Sequence, residues 1–381
     1  DAEGVHGLKG GGRMKRIVLY PYSRRLSALA DYIDLGGEYE IGGLAADRRS
    51  GLAGHGSRYG ENAEGTYPVT DDLEAALAGS EVLALFEPEG ADEAYDVKET
   101  AQKALRMGRD VVCCFYAEER VRRELEAYAE EHGASVRFLY ESFIEDAVYT
   151  QGQYMFSGLY VPQAKVVFAA GLLKGLDQQR VGLGLAKRAA ERGYRAAVIG
   201  SGKWLPLIGY HDIGGLMEGN RAYGEETVRL LNSLIRKIDT EEKPDMLIVE
   251  IPGELMKFNE MVCGDFGVGM YKISQAVKAE EIVCSLPYGE YTEGFYNSVS
   301  EYAEKKYDRG IGYFQISNRV FLYNESMEVR KSVTFAAGAG KAAETAEKQA
   351  GQGMRYGIFN AFHPAQSKAA YDKIIDRFEN M

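Results

Sequence analysis

The chain is poor in the residues that build metal centres and disulfide frameworks. Its 381 residues include 4 cysteines, 5 histidines and 1 tryptophan. Cys113 and Cys114 sit in the run Val111–Tyr116, Cys284 sits in Ile282–Leu286, and Cys263 stands apart. No C-x-x-C or Cys/His ligand spacing occurs, so no zinc or cluster site is expected. Buried, reduced thiols in a cytoplasmic protein fit this usage. No apolar run approaches the ~20 residues that span a bilayer, and no signal-peptide pattern is present. Basic residues are also in deficit: 45 Lys and Arg face 57 Asp and Glu, a formal net charge of −12. That balance argues against nonspecific nucleic-acid binding, which needs cations against phosphates.

Two nucleotide-binding signatures are missing as well. The first βα turn, Tyr20-Pro21-Tyr22-Ser23, holds no G-x-G-x-x-G, and Pro21-Tyr22 keeps the backbone away from a pyrophosphate. Ser23 reads either as a helix cap or as a hydroxyl for a ligand. Further on, an apolar strand from Val166 to Ala170 enters a loop at Gly171 and then a helix carrying Val181, Leu185 and Ala189. The outline is that of a P-loop, G-x-x-x-x-G-K-[ST]. Counted from Gly171, however, the second glycine is Leu176, the lysine is Asp177 and the hydroxyl residue is Gln178. Sliding the frame to Gly175 supplies no Lys-Ser/Thr pair either. Gly171, Lys174, Gly175, Asp177 and Gln178 therefore form a degenerate loop from which nucleotide hydrolysis is not expected. The alternative reading is an ordinary strand-to-helix turn with Asp177 as N-cap.

What the chain does have is alternation. Short apolar strands (Lys15–Tyr20, Glu38–Leu44, Val82–Phe86, Asp110–Phe115 and Ser135–Leu139) alternate with amphipathic helices, the pattern of a covered parallel sheet. This predicts a Rossmann-like or flavodoxin-like domain over 14–145, after a Gly-rich leader or tag remnant at 1–13. A linker at 146–164 leads to a second α/β domain over 165–381. Its strands are Arg195–Gly200, Met246–Ile251, Glu281–Leu286 and Gly312–Ile316, with long helices at Glu225–Thr240 and Glu293–Tyr307. Gly338–Gly353 reads as a frayed helix or loop, and 365–380 as a closing amphipathic helix. The degenerate loop followed by a strand tipped with Glu250 is the order of a P-loop protein and its Walker B acid. The expected fold is therefore a Rossmann/flavodoxin-like parallel sheet followed by a P-loop-NTPase-like α/β domain.

Chemistry-bearing residues cluster in loops. Ser201, Gly202 and Lys203 follow a strand and could hold an anion; His211 beside Asp212, and Glu250 with Glu254, are candidate acid/base pairs. Lys203, His211, Glu250 and Glu254 are thus the catalytic candidates, and no metal or cofactor is expected. Of 26 tyrosines, 7 lie between Tyr288 and Tyr323. Tyrosine gives stiff contact area with a polar tip, so Tyr288, Tyr291, Tyr296 and Trp204 are candidates for a partner-binding surface.

Several stretches carry a family resemblance: Ile17-Val-Leu-Tyr-Pro-Tyr-Ser, the strand-loop-helix from Val166, Gly200-Ser with Leu205-Pro-Leu-Ile-Gly-Tyr-His, and Pro244-Asp with Ile251-Pro-Gly-Glu-Leu-Met. Together these resemble the peptide-maturation system proteins of clostridial natural-product (bacteriocin) clusters, over most of 14–380. The plan is also similar to bacterial Rossmann-like plus P-loop-like proteins of unassigned function. The resemblance implies a role in maturing a ribosomally made peptide, beside a precursor peptide, an acyl-carrier-related protein and a radical SAM maturase. The expected function is an accessory or scaffold that binds one of these partners, with self-association compatible. The alternatives are a pathway ligase or transferase and a small-molecule-binding regulator.

Overall fold

A computed structural model of the chain describes residues 13–58, 66–87, 96–140, 158–218 and 224–379. The expected leader (apart from Arg13) and most of the expected linker lie outside the described residues. The chain forms two compact units, each an α/β layer around a parallel sheet.

The N-terminal unit contains β1 (Lys15–Tyr20), β2 (Tyr39–Ala45), β3 (Val69–Thr70), β4 (Val82–Leu85), β5 (Asp110–Tyr116) and β6 (Val136–Tyr140). They pair in the order β3-β2-β1-β4-β5-β6, parallel throughout. This is the Rossmann order, and it decides against the flavodoxin alternative. The strands are apolar on both faces because helices cover both: β4 is buried at every position. The helices are α1 (Ser27–Tyr32), α2 (Leu73–Ala78), α3 (Val97–Arg106) and α4 (Glu119–Glu131). α2 and α3 begin where the carboxylates of Asp72 and Asp96 accept the Ala75 and Glu99 N–H groups at 3.0 and 2.9 Å, satisfying donors that the first turn leaves open. Cys113 and Cys114 are buried free thiols, and burial pushes the Cys113 thiol up to about 12. The segment Lys203–Tyr210 also belongs to this unit; Leu205, Leu207 and Ile208 are buried, and Tyr140 donates its hydroxyl to the Lys203 carbonyl at 2.9 Å.

The C-terminal unit is built on β7 (Lys165–Gly171), β8 (Ala196–Gly200), β9 (His211–Asp212), β10 (Met246–Glu250), β11 (Glu281–Leu286), β12 (Tyr313–Ile316) and β15 (Gly357–Phe359). Their order is β15-β12-β11-β7-β10-β8-β9, again parallel. A separate antiparallel hairpin joins β13 (Arg319–Phe321) and β14 (Thr334–Ala336). The helices are α5 (Gln178–Glu191), α6 (Gly214–Glu218), α7 (Gly224–Glu241), α8 (Val268–Ala276), α9 (Glu293–Tyr307), α10 (Tyr323–Val329), α11 (Ala339–Ala350) and α12 (Pro364–Glu379). One sheet face, with Phe168, Leu247, Ile282 and Phe314, packs with Ile235, Met270 and Tyr296 of α7, α8 and α9. On the other face α5 approaches so closely that a side chain on Gly182 would touch Ile248. The Gly338–Gly353 stretch resolves into α11, its alanines 342 and 346 fully buried. Strands β3, β9 and β15 have only two or three residues, too few for a period of two to register.

Candidate functional site

The carboxyl ends of β7, β10 and β8 lie side by side, where open α/β sheets place their ligands. β7 ends at Gly171, whose carbonyl accepts the Leu255 N–H at 2.7 Å. Only glycine fits there, since a Cβ would come within 2.1 Å of the Gln178 amide nitrogen and 2.6 Å of the Leu173 carbonyl. Beyond it Leu172, Leu173 and Leu176 turn inward, while Lys174 and Gly175 are exposed. The Gln178 amide closes the loop by donating to the Leu173 carbonyl at 3.1 Å. Asp177 stands at the N-cap position of α5 with φ of 67° and caps nothing with its side chain. Its carboxylate instead accepts the Ser317 hydroxyl at 2.6 Å. The N-cap expectation for Asp177 is thus corrected: a left-handed backbone turns the carboxylate toward the end of β12.

Glu250 closes β10, next to β7 in register with Ala169. It is 6% exposed. The backbone N–H and the hydroxyl of Ser201, just past β8, both donate to its Oε2 at 2.6 and 3.0 Å. Burial pushes the Glu250 carboxyl up to about 7; the Ser201 bonds and Lys174 oppose the rise, and Asp212 adds to it. A carboxyl poised near neutrality at a strand end is what general acid–base chemistry requires. Asp212 is held by the Gly202 and Gly214 N–H groups at 3.0 and 2.8 Å.

The other candidates fall elsewhere. His211 and Asp212 do not pair: successive side chains of a strand face opposite ways, and His211 Nε2 meets Glu242 Oε1 at 2.7 Å instead. Glu254 has its own partner, accepting the Asp265 N–H at 3.0 Å; burial first, and the Asp265 carboxylate with it, raise its carboxyl. Lys203 pairs with Glu87 at 2.6 Å, at the end of β4 in the N-terminal unit. The partner-surface expectation is corrected where burial removes the surface. Tyr296 is fully enclosed and Trp204 is 6% exposed. The Tyr296 hydroxyl goes to Gln349 Oε1 at 2.6 Å. Tyr288 and Tyr291 are partly buried against the same core. In the N-terminal unit, buried Tyr22 donates to the Ser57 carbonyl at 2.6 Å, and Ser23 stands at an N-cap position without a side-chain cap bond. Ser201 enters as the partner of Glu250, a role that nothing in the Gly200-Ser-Gly spacing announced.

No protein-family model and no curated protein matches the chain. Among solved structures it is similar to a DUF1611 family protein from Anabaena variabilis, with a TM-score of 0.57 and 14% identity over 95% of this chain and 99% of that one. At that identity the likeness shows the fold, a two-sheet α/β plan along nearly the whole length of both. The Bacillus subtilis protein YvaA matches over 48% of this chain and 53% of its own, at 16% identity and a TM-score of 0.26, which carries no argument. Among the described residues no helix is long and apolar enough to cross a membrane, and no His/Cys/Asp/Glu group is placed to hold a metal.

Proposed function

We propose that the C-terminal unit is the catalytic part of an enzyme in which Glu250 is the general acid–base group. The observation that carries this is the near-neutral Glu250 carboxyl at the end of β10, beside the loop after β7. Lys174 is exposed on that loop and its charge reaches Glu250, so the substrate presents an anionic group there. In the peptide-maturation setting that the sequence resembles, this is the ligase or transferase reading, with the precursor peptide or a carrier-bound unit as substrate. Burial removes Tyr296 and Trp204 from the contact surface that a scaffold reading would use.

The test is comparative mass spectrometry. The wild-type chain and Glu250→Gln are incubated with a bacterial metabolite extract, and in parallel with the precursor peptide. The expected result is a mass change that needs the wild-type carboxyl and falls at least ~100-fold in Glu250→Gln, the usual weight of a lost general acid–base group. Equal conversion by the two proteins overturns the reading.

A further inference from the structure

Glu250 is held unevenly. Both hydrogen bonds that reach it end on Oε2. Oε1 accepts none from the described residues. The turn that carries Ser201 is fixed on both flanks. Gln179, in the first turn of α5, donates its amide to the Ser201 carbonyl at 2.7 Å. The next N–H, of Gly202, is tied to Asp212 at 3.0 Å. The charged groups that face Glu250 are Asp212 from β9 and Lys174 from the loop after β7.

We infer that Ser201 is the positioning residue of this site: it holds Oε2 in place and leaves Oε1 as the oxygen that exchanges a proton with substrate. This rests on the reading of Glu250 as the acid–base group. In the forward step an N–H or O–H bond of the attacking substrate breaks, its proton passes to Oε1, and the freed electron pair forms the new bond to the group being transferred, whose bond to the departing atom breaks with the pair going to that atom. The same proton then leaves Oε1 for the departing atom. A donor to the charged form favours that form, so a hydroxyl that merely satisfied a buried acid would move its titration and the stability; one that positions the reactive oxygen also changes turnover.

The test uses the full chain labelled with carboxyl-¹³C glutamate, with the Glu250 resonance assigned by its loss in Glu250→Gln. Wild type, Ser201→Ala and Ser201→Thr are titrated by NMR, and the pH dependence of turnover is recorded beside them. The Ala variant is expected to move the Glu250 midpoint up by about one pH unit, the worth of one hydrogen bond to a carboxylate. It shifts the acidic limb of the rate profile equally and lowers kcat more than KM, and the Thr variant restores all three. A Glu250 midpoint unmoved in Ser201→Ala, or moved but not restored by Thr, overturns the inference while leaving the acid–base reading intact. Undiminished turnover in Glu250→Gln fells that reading, and the inference with it.

Discussion

A stability measurement reaches Glu250 without knowledge of the substrate. Burial pushes its carboxyl up to about 7, against 4.5 for an ordinary glutamate. Between those values the native state holds a proton that the unfolded chain has released, so stability falls as pH rises. The contribution is fully present below the unfolded value and is lost as pH climbs through the folded one. Integrated between about pH 5 and about pH 8, the loss comes to about 2.5 kcal/mol. Glu250→Gln keeps the shape and an acceptor for Ser201 but cannot titrate, so it lacks that loss. Glu254 and Glu281, whose carboxyls are also raised by burial, remain in both proteins and cancel in the comparison.

The assay is urea unfolding followed by far-ultraviolet circular dichroism at the two pH values. Tryptophan fluorescence is unsuitable: the single tryptophan, Trp204, belongs to the N-terminal unit, and two units need not unfold as one. The expected result is a wild-type stability that drops by about 2.5 kcal/mol more than that of Glu250→Gln on going from acid to base. Parallel pH profiles, agreeing within about 0.5 kcal/mol, would mean that Glu250 titrates as a hydrated acid. The acid–base proposal would then lose its footing.

Other substitutions probe the frame around the site. Gly171→Ala drives a methyl into the Leu173 carbonyl and the Gln178 amide and costs about 3 kcal/mol by overpacking, whereas Gly182→Ala in α5 meets Ile248 at an ordinary 3.5 Å and gains up to about 1 kcal/mol of helix propensity; thermal melts rank the pair. Arg377→Ala strips Glu281 of its cation, which donates at 2.6 Å to a carboxylate side chain only 1% exposed. Because Arg377 is itself 46% exposed, the cost is discounted to about 2 kcal/mol. That loss is larger near pH 8 than near pH 6, since the lost guanidinium raises an already raised carboxyl, and urea unfolding at the two values checks it. Tyr296→Phe removes the hydroxyl from Gln349 Oε1, which keeps the Tyr291 N–H at 2.9 Å, and lowers chemical stability by about 1 kcal/mol.

The architecture was legible where burial writes itself into composition. Val82–Leu85 and Glu281–Leu286 are enclosed on both faces, and such strands announce a covered parallel sheet. Strand order was beyond reach, because it depends on which neighbours a strand takes and leaves no mark on periodicity; Rossmann and flavodoxin plans could be told apart only once β1 was seen between β2 and β4. Tyrosines misled for a related reason. Tyr296 hides its ring among Phe314 and Tyr356 and spends its hydroxyl on Gln349, so an amphipathic residue that suits an interface equally suits a core with one polar partner. Glu250 could be picked out as the acid at a strand tip, but Ser201 lies 49 residues away in sequence, and no spacing rule connects them.

The two sheets treat their strand ends differently. In each sheet the connections leaving two neighbouring strands diverge, from β1 and β4 in the N-terminal sheet and from β7 and β11 in the C-terminal sheet, so each has a switch point of the kind that binds ligands. At the first, the turn after β1 is filled by Tyr22, enclosed and bonded to Ser57, and polar side chains there are matched: Asp47 with Arg49, Lys203 with Glu87. In the C-terminal sheet the Glu250 carboxyl, at the end of β10 next to β7, is buried and given hydrogen bonds on one oxygen alone. Burying a charge without full compensation costs stability, and the surrounding fold bears that cost through α5, β9 and the turn at Ser201, all of which hold the arrangement rigid. A buried carboxyl bonded on one oxygen, with its turn tied down on both flanks, is the arrangement on which the acid–base proposal rests.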